Sequence, residues 1–189
     1  MTQEVARCQA AVERAASGAV VALVSSGDPG IYGMAGLAIE LAARLAPDLP
    51  VEIVPGVSAV NATAACLGAP LMLDFAAISL SDLLVPWASI RQRLEAVAAA
   101  DLVVALYNPR SRKRVRQLDE AVAIFLAHRP ASTPAGIGTA IGCEEEHVQI
   151  TTLGRLLEFE VGMVSTVVIG NRSSKRLGQW FVTPRGYGV

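Results

Sequence analysis

Between Ala19 and Gly36 the chain reads AVVALVSSGDPGIYGMAG, and few folds accommodate such a stretch. The run from Val20 to Val24 is short, continuous and largely β-branched, the pattern of a strand buried on both faces. It ends in Ser25-Ser26 and a turn in which Gly27, Gly30 and Gly33 fall three apart, with Asp28 between the first two. The Ala-, Leu- and Met-rich segment that follows predicts a helix over 31–45, closed by Pro47 and Pro50. A strand passing through glycines into a helix is how open α/β sheets build ligand crevices beyond the carboxyl ends of their strands. Glycine takes positive φ and lets a ligand approach the backbone. Free N–H groups at the helix start, near Ile31 and Tyr32, would serve polar ligand atoms. The spacing is not the G-x-G-x-x-G fingerprint, nor a P-loop, since no Gly-Lys-Ser/Thr follows. A tight turn without a ligand fits the local pattern equally well.

The remaining segments give this turn an α/β setting. Residues 2–17 predict a helix with Val5, Cys8, Val12 and Ala15 on one face and Gly18 at its end. VEIV at 51–54 predicts a second short strand, followed by PGVSA and a helix over 59–67 with Ser58 as its N-cap and Gly68 at its close. FAAISL at 75–80 predicts a third strand, and the break at Ser81-Asp82 and Pro86 places a domain boundary, giving domains 1–84 and 85–189. The second domain continues with a helix over 88–99, the buried strand LVVALY ending at Asn108-Pro109, and a helix over 113–127. Apolar residues at 134–141 and alternating ones at 147–153 suggest two strands joined by an acidic hairpin loop, followed by a short helix near 153–159 and the strand STVVIG. GQWFVTPRGYG reads as a final edge strand with a tail. Parallel and antiparallel signals mix in this half.

With 52% apolar and 17% charged residues in 189, there is ample core material. A net charge of −1 gives no general pull toward nucleic acid or anionic membrane. No apolar run reaches the roughly 18 residues of a membrane span, and the first residues lack the apolar region of a secretory signal. Cys8, Cys66 and Cys143 are odd in number and far apart, which argues against a disulfide framework or a metal site; His147 has no partner at ligand spacing, and His128 sits near a helix end. These features predict a cytoplasmic protein. The cations Arg110, Arg112, Lys113, Arg114 and Arg116 crowd the start of a helix, against its dipole, so either a solvated face or an anion-facing role accounts for them.

SSGDPGIYG at 25–33, PGVSA at 55–59, YNPRS at 107–111, TTL at 151–153, TVVIGN at 166–171 and TPRGY at 183–187 follow one another in the order found in the tetrapyrrole methylases, a family this chain resembles over nearly its whole length. ISLSDLL and YNPRS point to its precorrin branch. The resemblance implies an α/β protein of two domains with a cofactor cleft between them, a parallel-sheet domain followed by a mixed-sheet domain. It implies S-adenosylmethionine as cofactor, a homodimer, and a carboxylate-rich precorrin substrate methylated at ring position 17 with contraction of the macrocycle, in cobalamin biosynthesis. By match to the family motifs, Gly27, Asp28 and Ile31 line the cofactor site, Ser58 and Ala59 touch it from the second loop, and Asn108, Ala140 and Thr166 fall on three facing corners of the second domain. Arg110 and Arg112 are then candidates for pairing substrate carboxylates, which suit a bidentate guanidinium.

The family opens on a strand and a G-x-G-P-G loop that this sequence does not contain, so its first sheet is expected to be incomplete at the N-terminus, with strand edges exposed. A fragment, a late start and a shortened form all fit. The shortened form raises an alternative function, a non-catalytic tetrapyrrole-binding or subunit-interaction remnant. An RNA-directed sister enzyme, suggested by the basic run, is opposed by the near-neutral charge and the lack of interleaved aromatics. Methyl transfer from a sulfonium requires alignment and exclusion of water rather than a metal or a strong base, and the sequence identifies no catalytic base. Asp28 would either cap its turn or hydrogen-bond the cofactor.

Overall fold

The computed structural model describes residues 3–188, which divide into two compact units, Met1–Ala59 and Val60–Val189. The boundary expected at 84/85 is therefore not where compactness divides the chain.

In the first unit, helices α1 (Glu4–Ala16) and α2 (Ala35–Leu45) pack through Cys8 and Val12 against Leu41 and Ala42, with Leu23, Leu37 and Leu49 around them. Cys8 and Val12 behave as the helical spacing predicts, whereas Val5 is 57% exposed. Burial of a side chain such as Leu41 contributes about 1.5–3 kcal/mol. α1 ends where Gly18, at φ 97°, returns its N–H to the Ala15 carbonyl. The two predicted strands are corrected here. Residues 20–24 and 51–54 carry no strand ladder, and Val20, Val24 and Val54 are exposed. A strand exists only by pairing, and neither run has a ladder partner among the described residues.

The second unit holds a five-stranded mixed sheet in the order β2-β3-β6-β4-β5, from β2 (Phe75–Ser79), β3 (Val103–Tyr107), β4 (Pro134–Thr139), β5 (His147–Thr152) and β6 (Ser165–Ile169). β2, read from sequence as part of the first domain, pairs parallel with β3; β6 runs antiparallel to both its neighbours, and β4–β5 is the expected hairpin. Side chains alternate across β3. Val104 and Leu106 face α4 (Trp87–Ala99) and α5 (Arg116–His128) through Ile90, Leu94, Leu118 and Phe125, while Val103, Ala105 and Tyr107 join the core containing Val60 and Leu67 of α3 (Ala59–Leu67). α3 lies tight on β4, where a Cβ on Gly136 would come 2.5 Å from Leu67, and one on Gly138 2.7 Å from Thr63.

A small second sheet orders β1 (Gly68–Ala69), β8 (Trp180–Val182) and β7 (Lys175–Leu177). The last predicted strand is thus not an edge: β8 lies between β1 and β7. At the end of the large sheet opposite Asn108, buried Arg129 donates from Nη2 to the carbonyls of Leu102 at 2.6 Å and Val97 at 3.3 Å, and from Nη1 to that of Gly170. Its Nε stands 3.5 Å from an Asp101 carboxylate oxygen, and its guanidinium lies over the Phe125 ring.

Candidate functional site

The glycine turn of the first unit is built around one carboxylate. Asp28 accepts the Gly56 N–H at 3.1 Å on one oxygen and the Gly30 N–H at 2.8 Å on the other. It therefore caps its own turn and also clasps the two glycine loops together. These bonds, the one from Gly56 foremost, hold its carboxyl below the usual carboxylate range. The approach is close: a Cβ on Gly56 would stand 2.3 Å from the Gly27 carbonyl oxygen, and one on Gly33 2.5 Å from that of Pro29. Gly27 itself, at φ 76°, lies against Val57, Ser58 and Ala59.

Two expectations are corrected at this turn. The helix begins at Ala35 rather than Ile31, because the Ile31 N–H turns back to the Asp28 carbonyl at 3.3 Å and Tyr32 takes a left-handed φ of 55°. Ser58 does not cap α3: its hydroxyl is buried and makes no hydrogen bond among the described residues. A buried hydroxyl without a partner is a place where a polar ligand atom would be welcome. The fold thus gathers Gly27, Asp28, Ser58 and Ala59, with Ile31 at the exposed end of the turn.

A pH prediction follows from the clasp. The Asp28 pKa is lower in the folded protein than in the unfolded chain, so its contribution is present above the unfolded value, about pH 4, and is lost as pH falls through the folded value. Amide exchange at Gly30 and Gly56 is expected to quicken in acid, and Asp28→Asn to quicken it already at neutral pH. Unchanged exchange in the variant would dismiss the clasp.

In the second unit, Asn108, Ala140 and Thr166 lie at one end of the three inner strands of the large sheet. Asn108 follows β3, Ala140 follows β4, and Thr166 is near the start of β6 between them, opposite Gly138. Asn108 and Ala140 have φ of 51° and 50°, strained for residues with a Cβ. The Asn108 amide donates to Ser79 Oγ at 3.0 Å, joining the ends of β2 and β3. Tyr107, at the end of β3, accepts the Val60 N–H on its hydroxyl at 3.0 Å.

The basic run is not a single anion surface. Arg110 is ion-paired with Asp119. Arg114 turns inward, and Arg116 lies 3.7 Å from Glu120. Arg112 is exposed and makes no ion pair among the described residues. Beside the run, a cavity of about 270 Å³ is lined by Asp82, Trp87, Lys113 and Glu120 among others, but Trp87 is bonded to Glu120, and Asp82 to Gln117. Burial raises the Cys8 and Cys66 thiols, and neighbouring Glu146 raises Cys66 further, so neither is poised as a nucleophile. No described helix is long and apolar enough to cross a membrane.

Residues 2–157 match the Tetrapyrrole (Corrin/Porphyrin) Methylases. The chain is 48% identical over 188 residues to a probable cobalt-factor III C(17)-methyltransferase of Salmonella typhimurium, covering 99% of this chain and 78% of that protein. It is 47% identical over 191 residues to the cobalt-factor III methyltransferase of Priestia megaterium, covering 99% of this chain but only 35% of that much longer protein. Its structure superposes on the crystal structure of the methyltransferase CobJ with a TM-score of 0.89 and 35% identity, covering 96% of this chain and 77% of that one.

Proposed function

From the premise that this chain belongs to the tetrapyrrole methylase family, we propose that it takes part in S-adenosylmethionine-dependent methylation of a precorrin at C-17, with contraction of the ring, in cobalamin biosynthesis. The similarity across 99% of the chain to a probable cobalt-factor III C(17)-methyltransferase carries the proposal of C-17 methylation. The first-unit loops fit such a cofactor: backbone approaches closely at Gly27 and Gly56, and the buried Ser58 hydroxyl lacks a partner. The cofactor would supply a methyl group on a sulfonium.

We assign Gly27, Asp28, Ile31, Ser58 and Ala59 to cofactor contact in the first unit, and Asn108, Ala140 and Thr166, at one end of the large sheet, in the second. Asp28 acts through the clasp, keeping the glycine loops in register. Ser58 offers a hydroxyl whose bonding capacity is unspent. Arg112 offers a free guanidinium to a peripheral carboxylate, with Arg110 held aside by Asp119. Such positioning is what methyl transfer to an electron-rich carbon demands of a protein. A cytoplasmic homodimer is the assembly we expect.

Calorimetric titration with S-adenosylhomocysteine, joined to transfer of labelled methyl to precorrin-3B and to cobalt-factor III, tests this reading. Micromolar binding with label in either tetrapyrrole supports it. Tetrapyrrole binding without transfer would replace it with the non-catalytic remnant, and the absence of both would overturn it. Arg112→Ala is expected to raise the tetrapyrrole KM about tenfold and leave kcat within about threefold, as loss of uniform substrate binding does. An unchanged KM would remove Arg112 from the substrate site.

A further inference from the structure

Asn108 closes β3 in a left-handed conformation, at φ 51°, and something must keep it there. Asparagine tolerates this region better than most residues, but Pro109 and the basic run that follow add no fixed secondary structure before α5. The fixing comes from six residues further on. Arg114, only 9% exposed among its charged and exposed neighbours, donates from Nε to the Asn108 carbonyl at 3.0 Å, and its Nη2 lies 3.6 Å from Met163 Sδ. The backbone of Arg114 is fastened as well. Its N–H goes to Ser111 Oγ at 3.0 Å, and its carbonyl accepts the Ser111 N–H at 2.9 Å. The loop 108–114 is thus folded onto itself through one arginine, while the Asn108 side chain is drawn to Ser79. Of the five cations, Arg114 is spent inside the protein, while Arg112, exposed and without an ion pair among the described residues, is carried on the loop it closes.

We propose that Arg114 is a positioning residue for the methyl-transfer reaction, its buried guanidinium holding the left-handed Asn108 corner and the loop that presents Arg112. The proposal rests on the methyltransferase reading above. Arg114 touches neither cofactor nor substrate in this assignment; it acts through the Asn108 carbonyl. A lysine there keeps the charge and one donor, whereas a methionine fills the space and keeps neither.

The test compares the full chain with Arg114→Met, Arg114→Lys and Ser111→Ala. In Arg114→Met, amide exchange across 106–116 is expected to quicken about tenfold with little change elsewhere, and the tetrapyrrole KM to rise about tenfold with kcat within about threefold. Arg114→Lys is expected to recover most of both effects, and Ser111→Ala to show a weaker form of them. Exchange and KM unchanged in a folded Arg114→Met would overturn the proposal. So would loss of folding in both Arg114 variants, which would make the residue part of the core alone. If the unaltered chain neither binds S-adenosylhomocysteine nor transfers methyl, the methyltransferase reading fails, and amide exchange still decides whether Arg114 holds the loop.

Discussion

Gly56→Ala is expected to remove S-adenosylhomocysteine binding almost completely, with a loss of about 100-fold or more. The added Cβ would sit 2.3 Å from the Gly27 carbonyl oxygen, a backbone atom that cannot swing aside as a side chain can. Relief requires the two glycine loops to part, which also breaks the Gly56 N–H bond to Asp28. Nothing in this contact involves the large sheet, so its β-structure should persist in circular dichroism. Gly36→Ala is the control: nothing lies within 4 Å of a Cβ there, and in α2 alanine is the better helix former by about 1 kcal/mol. Calorimetric titration of the two variants separates the contact from a general intolerance of change near the turn. Equal affinity in both would mean that the loops are not the cofactor's cradle.

The second large effect is on stability. Arg129→Met is expected to cost about 3–5 kcal/mol, read as a fall in the urea midpoint without a change in slope. Methionine matches the volume but leaves the carbonyls of Val97, Leu102 and Gly170 without their shared donor and Asp101 without its cation. These groups come from the end of α4, the approach to β3 and the end of β6, so one side chain joins three elements that are far apart in sequence. Arg129→Lys should recover little, because one ammonium cannot reproduce the planar fork toward three acceptors. A loss below about 1 kcal/mol would show that water serves these carbonyls equally well.

The contrast between the two halves explains how much the sequence could reveal. β3 and β6 were legible because LVVALY and the VVI of STVVI are short, continuous apolar runs, which suit strands buried on both faces, and the β4–β5 hairpin because apolar and alternating runs flank an acidic loop. The same signal misled at 20–24 and 51–54, since β-branched composition reports a willingness to pair and not the presence of a neighbour. β1 and β7, with two and three residues, are too short to show a period. Motif matching picked out Asn108, Ala140 and Thr166, which the fold sets at one end of the large sheet. It could not sort the basic run, because the difference between Arg112 and Arg114 is one of direction, which spacing in an irregular loop does not encode. Arg129 was missed for a related reason: at a helix end, an arginine bound for the interior looks like one bound for solvent.

The unpaired runs of the first unit have a bearing on how the chain behaves in company. Val20, Val24, Val54 and Val57 are well exposed on backbone that carries no ladder among the described residues. Such a length of chain is a template: another copy laid alongside would satisfy its N–H and C=O groups and cover its valines in one step. Association along these runs would climb with concentration and with salt that screens the few nearby charges.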